Sequence, residues 1–275
     1  MIEDPAKLLE DIAIATREAG KAILEIVARG FDVEHKSDRS PVTEADRAAE
    51  LVILAALARA APGVPVVAEE EVAAGRIPEI GETYFLVDPL DGTKEFVRGG
   101  DDYTVNIGLI SNGTPLLGAV FSPARGTTHA GLVGEGAWLE DFQGRRSITT
   151  RDCGAKITAV ASKSHFSQPT ADYLAAVNAA DYVGIGSSLK LCIVAEGGAD
   201  IYPRLSPTSE WDTAAAHAVL LAAGGRVDGP DGEPLGYGKR AFLNRGFVAT
   251  GGWKAPVIEP FLQPFSGGGD LSVGN

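Results

Sequence analysis

The chain has little of what secreted and membrane proteins depend on. It contains two cysteines, Cys153 and Cys192, which form no C-x-x-C pair. Neither a disulfide framework nor a thiolate metal site is therefore expected, and the unpaired cysteines are typical of a reducing compartment. The N-terminal segment has no apolar signal core, and the longest apolar run, residues 51–58, is too short to cross a bilayer. These absences predict a cytoplasmic protein without an integral membrane segment, although peripheral association with the inner membrane stays open.

Positive charge is also scarce. The chain has 24 Lys and Arg against 37 Asp and Glu, which gives a formal net charge of -13. No broad basic face is available to neutralise a phosphate backbone, so nucleic acid is not expected as a partner. A small anionic ligand remains compatible with this charge, because metal ions and a few placed cations can reverse the field locally.

The hydrophobic pattern predicts a layered α+β protein. Apolar residues at three- and four-residue spacing predict a first helix that Gly30 ends and a second helix over residues 43–60. Asn112-Gly113, between two apolar runs, predicts a β-hairpin. Strands then alternate with helices, one of them over residues 211–223. We expect an N-terminal half over residues 1–150, a C-terminal half over residues 151–265 and a flexible Gly/Ser-rich tail over residues 266–275.

Two local predictions concern the end of the N-terminal half. The run over residues 131–139 predicts one strand, and Gly144 with its basic neighbours predicts a surface turn.

An acidic motif directly follows a predicted strand. The motif is Asp88-Pro89-Leu90-Asp91-Gly92-Thr93, after the apolar run at residues 84–87. Two carboxylates three residues apart, with a tight glycine turn, direct oxygen atoms into one small volume, which is the cluster that hard divalent cations prefer. Asp-Pro and Asp-Gly are also ordinary turn formers, so the motif alone leaves both interpretations open.

Three further acidic motifs have local explanations of their own. Glu69-Glu70-Glu71 fits a solvated acidic loop. Asp212, after Ser209, and Asp46, after Thr43, each fit the acid of a helix capping box.

Taken together, however, all these acids lie at strand ends or helix starts, where α/β proteins gather ligands. Two metal ions held by shared carboxylates would activate water and stabilise a leaving oxygen. Thr93 would position the water and Asp46 would accept its proton. No G-x-S-x-G nucleophile motif competes with this chemistry.

In this order, the motifs resemble the signature of the lithium-sensitive, inositol-monophosphatase-like phosphatases. The signature comprises Glu69-Glu70, then the motif from Asp88 to Thr93, then Trp211-Asp212-Thr213-Ala214-Ala215. The resemblance covers the chain from the first helix to about residue 255. It implies an α+β fold, the layered α/β/α/β/α sandwich of the inositol monophosphatase/fructose-1,6-bisphosphatase type. It also implies two or three Mg²⁺ ions as cofactor and inhibition by Li⁺.

The resemblance implies a role for each matching residue. The implied metal ligands are Glu69, Asp88, the Leu90 carbonyl, Asp91 and Asp212. Asp46 and Thr93 match the pair that activates the nucleophilic water, and Glu70 is counted with them as catalytic. The implied substrate contacts are Gly92, Thr93, His165, Ser187, Lys190, Arg204 and Asp212.

Within this family, the chain is most similar to the bacterial 3′(2′),5′-bisphosphate nucleotidases. The similarity rests on Lys94-Glu95-Phe96, Ser162-Lys163-Ser164-His165, Ser187-Ser188-Leu189-Lys190 and Tyr202-Pro203-Arg204-Leu205. It implies that adenosine 3′,5′-bisphosphate loses its 3′-phosphate to give AMP, in sulfur assimilation or nucleotide recycling. One departure is the acidic pair Asp101-Asp102, whose role stays open.

A bisphosphate leaves one phosphate without metal, and that phosphate needs cations. Lys190 and Arg204 would supply them, although a single Lys or Arg is more often a surface residue. His165 is likewise more often structural than a ligand.

Two other functions are open to the same residues. The first is the same chemistry on inositol monophosphate or a sugar phosphate, which gives Lys190 and Arg204 no evident task. The second is an inactive metal- or nucleotide-binding regulator, but every acid that the mechanism requires is present. A monomer and a homodimer are equally compatible with the sequence.

Overall fold

A computed structural model describes residues 2–35, 41–179 and 181–263; the predicted tail lies outside these residues. The helices are α1 (Pro5–Arg29), α2 (Glu44–Ala60), α3 (Glu69–Ala73), α4 (Thr93–Val97), α5 (Gln168–Ala176), α6 (Leu189–Ala195) and α7 (Trp211–Ala222), with 3₁₀ turns at Arg240–Phe242 and Glu259–Phe261. The first nine strands are β1 (Val33–His35), β2 (Pro41–Thr43), β3 (Val66–Ala68), β4 (Thr83–Asp91), β5 (Thr104–Ser111), β6 (Thr114–Ser122), β7 (Thr127–Leu132), β8 (Gly136–Asp141) and β9 (Gly144–Ile148). The others are β10 (Thr158–Ser162), β11 (Asp181–Ile185), β12 (Ile201–Arg204), β13 (Thr208–Ser209), β14 (Arg226–Asp228), β15 (Leu243–Asn244) and β16 (Phe247–Thr250).

The larger sheet has seven strands in sequence order, β3 to β9. Strands β3 and β4 are parallel and every later pair is antiparallel. Strands β5 and β6 form the predicted hairpin, in which Asn112 and Gly113 both have positive φ. This backbone conformation is the one that Asn-Gly turns favour, and the hairpin prediction is confirmed.

The smaller sheet has five strands in the order β11-β10-β12-β16-β14. Strand β10 runs parallel to β11 and β12, and β16 runs antiparallel to β12 and β14. Two short antiparallel ribbons, β1–β2 and β13–β15, lie outside both sheets.

Alternation along the strands sorts the helices into layers. On β5, Ile107 and Leu109 join the core beneath α1 and α2, whereas Ile110 joins a core with residues of α7. Successive side chains of a strand point to opposite faces, so α1 and α2 cover one face of the seven-stranded sheet and α7 covers the other. Helix α6 packs against α7 and the five-stranded sheet, whose outer face holds α5. The layers are α/β/α/β/α, and the predicted fold is confirmed.

A row of three glycines lets α7 approach the large sheet closely. Gly108, Gly118 and Gly131 are direct cross-strand neighbours on β5, β6 and β7. A Cβ atom at Gly118 would lie 2.3 Å from the Ala215 carbonyl oxygen, and one at Gly131 would lie 2.7 Å from the Ala222 Cβ. Only glycine fits at these contacts, and the close approach fixes the start of α7, which carries Asp212.

Of the two local predictions, one is wrong and one holds in part. Residues 131–139 form parts of two strands, β7 and β8, because Gly134 and Gly136 with positive φ turn the chain between them. The predicted surface turn exists but is shorter: Gly144, with φ of 104°, closes the turn between β8 and β9, whereas the basic residues after it pair in the sheet with Glu140 and Leu139.

The two sheets are built from residues 66–148 and 158–250. Helix α7, from the later part of the chain, nevertheless packs on the first sheet. The division into two halves near residue 150 stays a prediction. Among the described residues, no helix combines the length and the apolar composition needed to cross a membrane.

Candidate active site

One pocket gathers the end of β4, the start of α7 and the loops after β10 and β11. Nine of the predicted site residues line it: Glu69, Asp91, Gly92, Thr93, His165, Ser187, Lys190, Arg204 and Asp212. Asp88 and Leu90 are buried on β4, only 2% and 1% exposed, and do not line it. Asp46 and Glu70 also lie outside the lining. The structure thus brings acids and cations that are far apart in sequence into the lining of one pocket.

The acids come from three elements. Glu69 begins α3 directly after β3, Asp88 and Asp91 lie at the end of β4, and Asp212 lies in the first turn of α7. The register of β4 against β5 is irregular between Asp88 and Asp91, and Gly92 with φ of 91° turns the chain into α4. The acidic motif is therefore both a turn and a cluster of carboxylates.

Burial and mutual repulsion dominate the electrostatics of this cluster. Burial, with the charges of Glu69, Asp91 and Asp212, raises the pKa of Asp88 well above its usual range. Burial, with the charges of Asp91 and Glu69, does the same to the pKa of Asp212. Burial also raises the pKa of Asp91 to about 6, although Lys190 opposes the shift. Buried carboxylates that repel one another in this way are stabilised by a cation between them.

Some carboxylate oxygens are engaged by the backbone. Asp88 Oδ1 accepts from the Leu90 N–H at 3.0 Å, and Asp212 Oδ2 accepts from the Ser209 N–H at 3.0 Å. Within residues 2–35, 41–179 and 181–263, no three such side chains are arranged to hold a metal ion. A cation would have to draw the remaining oxygens together. The donor set consists of oxygen atoms alone, which fits a hard ion such as Mg²⁺.

Asp46 is both the acid of a capping box and a neighbour of Thr93. Its Oδ2 accepts from the Thr43 N–H at 2.7 Å, while the Thr43 side chain caps the start of α2. Its Oδ1 lies 3.5 Å from Thr93 Oγ, which also donates to the Leu90 carbonyl at 3.0 Å. Burial raises the pKa of Asp46 to about 6. The two interpretations of this residue are therefore compatible.

Glu70 is the second residue of α3 and lies where α3 contacts α2. Its backbone N–H donates to Glu50 Oε2 at 2.9 Å. Burial raises the pKa of Glu50 to about 7. Glu70 adds negative charge near Asp46. The structure thus places Glu70 among the acids but not against the pocket.

Lys190 is a buried cation, only 3% exposed, and not a surface residue. Its Nζ donates to the carbonyls of Ile185 and Ser187 and lies 5.2 Å from the centre of the Tyr202 ring. Burial lowers its pKa to about 8, against the opposing charge of Asp91. A buried ammonium at a pocket wall is suited to bind an anion.

Arg204 lines the same pocket as Lys190. Its guanidinium donates to Ser162 Oγ at 3.2 Å and to the carbonyls of Ser206 and Pro207. In the part of the chain that the structure describes, it forms no salt bridge with an acid. Burial and the charge of Arg204 lower the pKa of His165 to about 4, so this imidazole is neutral at pH 7. Ser187 also lines this pocket.

Sequence reasoning missed three residues. The Ser188 backbone N–H opposes the rise that burial causes in the pKa of Asp91. Glu95, which is buried, accepts from Ser164 across the pocket. Asp102 accepts from the Gly186 N–H at 3.2 Å. Ser188 and Glu95 lie within motifs that were recognised, but nothing in their spacing indicates contacts with residues so distant in sequence.

Comparison with known proteins decides the family. Residues 4–260 match the inositol monophosphatase family. The chain belongs to that family. A relative in Escherichia coli (strain K12), described as 3′(2′),5′-bisphosphate nucleotidase CysQ, is 42% identical over 87% of this chain and 98% of that protein. A relative of the same description in Haemophilus influenzae is 31% identical over 89% of this chain and 93% of that protein.

Solved structures agree with this membership. The crystal structure of CysQ from Bacteroides thetaiotaomicron, a bacterial member of the inositol monophosphatase family, superimposes with a TM-score of 0.76 at 33% identity. The match covers 92% of this chain and 100% of that one. The predicted resemblance to this family is confirmed.

Proposed function

We propose that this chain is a 3′(2′),5′-bisphosphate nucleotidase, a phosphoric monoester hydrolase that removes the 3′-phosphate of adenosine 3′,5′-bisphosphate. Relatives with that description match it over most of both chains. The carrying observation is that one pocket is lined both by carboxylates that repel one another and by the cations Lys190 and Arg204. A substrate with two phosphates would use both groups of side chains, whereas inositol monophosphate would use one.

Lys190 and Arg204 would hold the phosphate that does not react. Lys190 would donate from Nζ, and the Arg204 guanidinium, which has no acidic partner among the described residues, would donate in a bidentate manner. Ser187 and the neutral His165 would border the nucleoside. Burying a phosphate without such partners would be costly.

Two or three Mg²⁺ ions would be bound by five groups: Glu69, Asp88, the Leu90 carbonyl, Asp91 and Asp212. Mg²⁺ supplies charge stabilisation and lowers the pKa of bound water. The repulsion among these carboxylates supports this assignment. Inhibition by Li⁺ would follow from exchange at the same site.

Thr93 and Asp46 would handle the proton of the attacking water. Thr93 Oγ lies within reach of Asp46 Oδ1, so the hydroxyl can hold the water while the carboxylate accepts the proton. A pKa of about 6 suits Asp46 to this task near neutral pH. Glu70 would act by its charge near Asp46, and the Gly92 and Thr93 amides would face the scissile phosphate.

One assay tests the proposed function. Phosphate release is measured from adenosine 3′,5′-bisphosphate and from inositol 1-phosphate, each with chelator and with Mg²⁺ restored. We expect a higher kcat/KM for the bisphosphate and no turnover after chelation. Preference for inositol 1-phosphate would refute the substrate assignment, and full turnover after exhaustive chelation would refute the metal assignment.

The cellular setting is part of the proposal. A cytoplasmic location, a monomer or homodimer, a phosphorylated nucleotide as substrate and no nucleic acid as partner agree with the composition of the chain. Fractionation of cells and light scattering of the pure protein test the first two.

A further inference from the structure

Asp102 has no task in the function proposed above, yet its carboxylate contacts Gly186, a residue that lines the pocket. Asp102 is 9% exposed, in the loop between α4 and β5. Its Oδ2 accepts from the Gly186 N–H at 3.2 Å, and its Oδ1 accepts from Arg125 Nη2 at 2.5 Å. Lys163 Nζ lies 3.8 Å from Oδ2. One carboxylate thus joins three segments that are distant in sequence.

The Asp102 backbone also separates two glycines. A Cβ at Gly92 would lie 2.6 Å from the Asp102 carbonyl oxygen, and a Cβ at Gly186 would lie 2.7 Å from the same oxygen. Gly92 belongs to the turn after Asp91, and Gly186 begins the stretch of chain that leads to Lys190. The packed Asp102 backbone therefore helps to set the spacing between the turn at Gly92 and the segment that leads to Lys190.

Segment 185–190 contains one strained residue and is held by contacts with other segments, among them the hydrogen bond from Ser188 Oγ to Asn106 Oδ1 at 2.6 Å. Ser187, a residue with a Cβ, has φ of 48°, in the left-handed region that costs energy for such residues. The ammonium of Lys190 is held by the carbonyls of Ile185 and Ser187, within the same segment. The position of the ammonium thus follows the position of segment 185–190.

We propose that Asp102 is a positioning residue, which anchors segment 185–190 and so places Lys190 against the phosphate that does not react. A hydrogen bond from an N–H to a carboxylate is stronger than one between neutral groups. Arg125 and Lys163 hold the carboxylate in the orientation that Gly186 requires. This inference rests on the proposed function only for the identity of the phosphate.

The test compares three variants. Asp102→Ala removes the anchor, Asp102→Asn keeps an oxygen acceptor but loses the charge, and Asp101→Ala removes the exposed neighbouring acid as a matched control. Each variant is assayed with adenosine 3′,5′-bisphosphate and adenosine 3′-monophosphate. Amide hydrogen exchange of the free proteins is recorded in parallel.

We expect Asp102→Ala to raise KM for the bisphosphate by roughly 10- to 100-fold, the value of one hydrogen bond to a charged group, with kcat within about twofold. The monophosphate KM should not change. Exchange should accelerate in segment 185–190 and not elsewhere. Asp102→Asn should be intermediate on both measures, and Asp101→Ala should match the wild type.

Three results would overturn the inference. The first is unchanged exchange in segment 185–190. The second is faster exchange there without a change in the bisphosphate KM. The third is a general loss of protection with equal losses on both substrates, which would make Asp102 a structural residue only. If the wild type does not hydrolyse the bisphosphate, the proposed function fails, while the exchange data still decide whether Asp102 anchors the segment.

Discussion

Asp46 uses its two carboxylate oxygens for different neighbours, and this division can be tested. Asp46→Asn keeps the shape of the capping box but cannot accept a proton. We expect kcat to fall by roughly 10²–10⁴, the usual contribution of general acid–base catalysis. A residue that only capped α2 would cost about 1 kcal/mol of stability and leave turnover intact. Steady-state kinetics and thermal melting of the same variant separate the two results.

Ser167 provides a matched control, because it caps α5 far from Asp46 in sequence and outside the pocket lining. Ser167→Ala should lower the melting temperature without changing kcat. If Asp46→Asn behaved as Ser167→Ala does, the assignment of Asp46 as a base would be wrong.

Arg204→Ala tests whether Arg204 binds the phosphate that does not react. Binding of adenosine 3′,5′-bisphosphate should weaken by about 1.5–3 kcal/mol, the value of a hydrogen bond to a charged group. The kcat/KM for adenosine 3′-monophosphate should barely change. The ratio of the two kcat/KM values, in wild type and variant, is the quantity to measure.

Arg245→Ala is the control for this experiment, since Arg245 is exposed and pairs with Glu259 at 3.2 Å, outside the pocket. It should leave both substrates unaffected. An equal loss on both substrates in Arg204→Ala would mean that Arg204 is structural or contacts the reacting phosphate.

Single residues also show where sequence reasoning ends. The acids were predictable because their motifs combine a strand end with a turn, and the structure brings Glu69, Asp91 and Asp212 to one pocket. The burial of Lys190 was not predictable, because its partners are carbonyls whose direction depends on the backbone of the folded chain. The roles of Asp46 as cap and as neighbour of Thr93 could not be combined until a contact 47 residues apart was known.

At the scale of elements, the glycine row makes the contact between α7 and the sheet sensitive to one methyl group. A Cβ at position 118 would lie 2.3 Å from the Ala215 carbonyl oxygen, so Gly118→Ala must displace backbone. We expect a loss of about 1–3 kcal/mol in the free energy of unfolding, typical of overpacking. Urea denaturation measures it.

Gly81→Ala is the matched control, since a Cβ there would meet nothing within 4 Å. Its free energy of unfolding should stay within about 0.5 kcal/mol of the wild type. Equal stability of the two variants would contradict the close packing of α7.

A buried histidine on α7 makes stability depend on pH. Burial lowers the pKa of His217 to about 3, and its Nδ1 lies 3.0 Å from the Tyr237 hydroxyl oxygen. In the unfolded chain, the imidazole titrates near pH 6.5. Between these values the unfolded state binds more protons, so the contribution is present above about pH 6.5 and is lost as pH falls.

The comparison with His217→Gln isolates this contribution from other titrating groups. Relative to its own value at pH 7.5, the wild type should lose about 2 kcal/mol more than the variant at pH 5. The free energy of unfolding is measured in urea at both pH values. Parallel pH profiles would contradict a neutral buried His217.

Among the elements, the long ones were the most predictable. Helices α1 and α2 and the β5–β6 hairpin follow from periodicity, a terminal glycine and an Asn-Gly turn. The five-residue helices α3 and α4 have too few turns for a period to appear, and their positions depend on the strands before them. The sequence predicts one strand where the structure has the end of β7 and the start of β8, because the apolar pattern continues through the turn between them.

At the scale of the whole molecule, the net charge of -13 leaves few cations for any one site. Lys94, Lys190 and Arg204 nevertheless lie in one pocket, together with four acids. Composition could exclude a broad basic face, but it could not place these three cations among the acids of one pocket. The fold and the family were predictable because the motifs occur in a fixed order along the chain, and both predictions are confirmed.

The late position of α7 in the chain bears on biosynthesis. The glycine row is complete once Gly131 has been made, but α7 ends at Ala222. At ordinary rates of translation, roughly 5–20 s separate these residues. During that interval the nascent sheet has no helix on the face that includes Ile110 and Val120. Ribosome pausing between these points would prolong the exposure of this apolar face, and we expect it to lower the yield of folded chain.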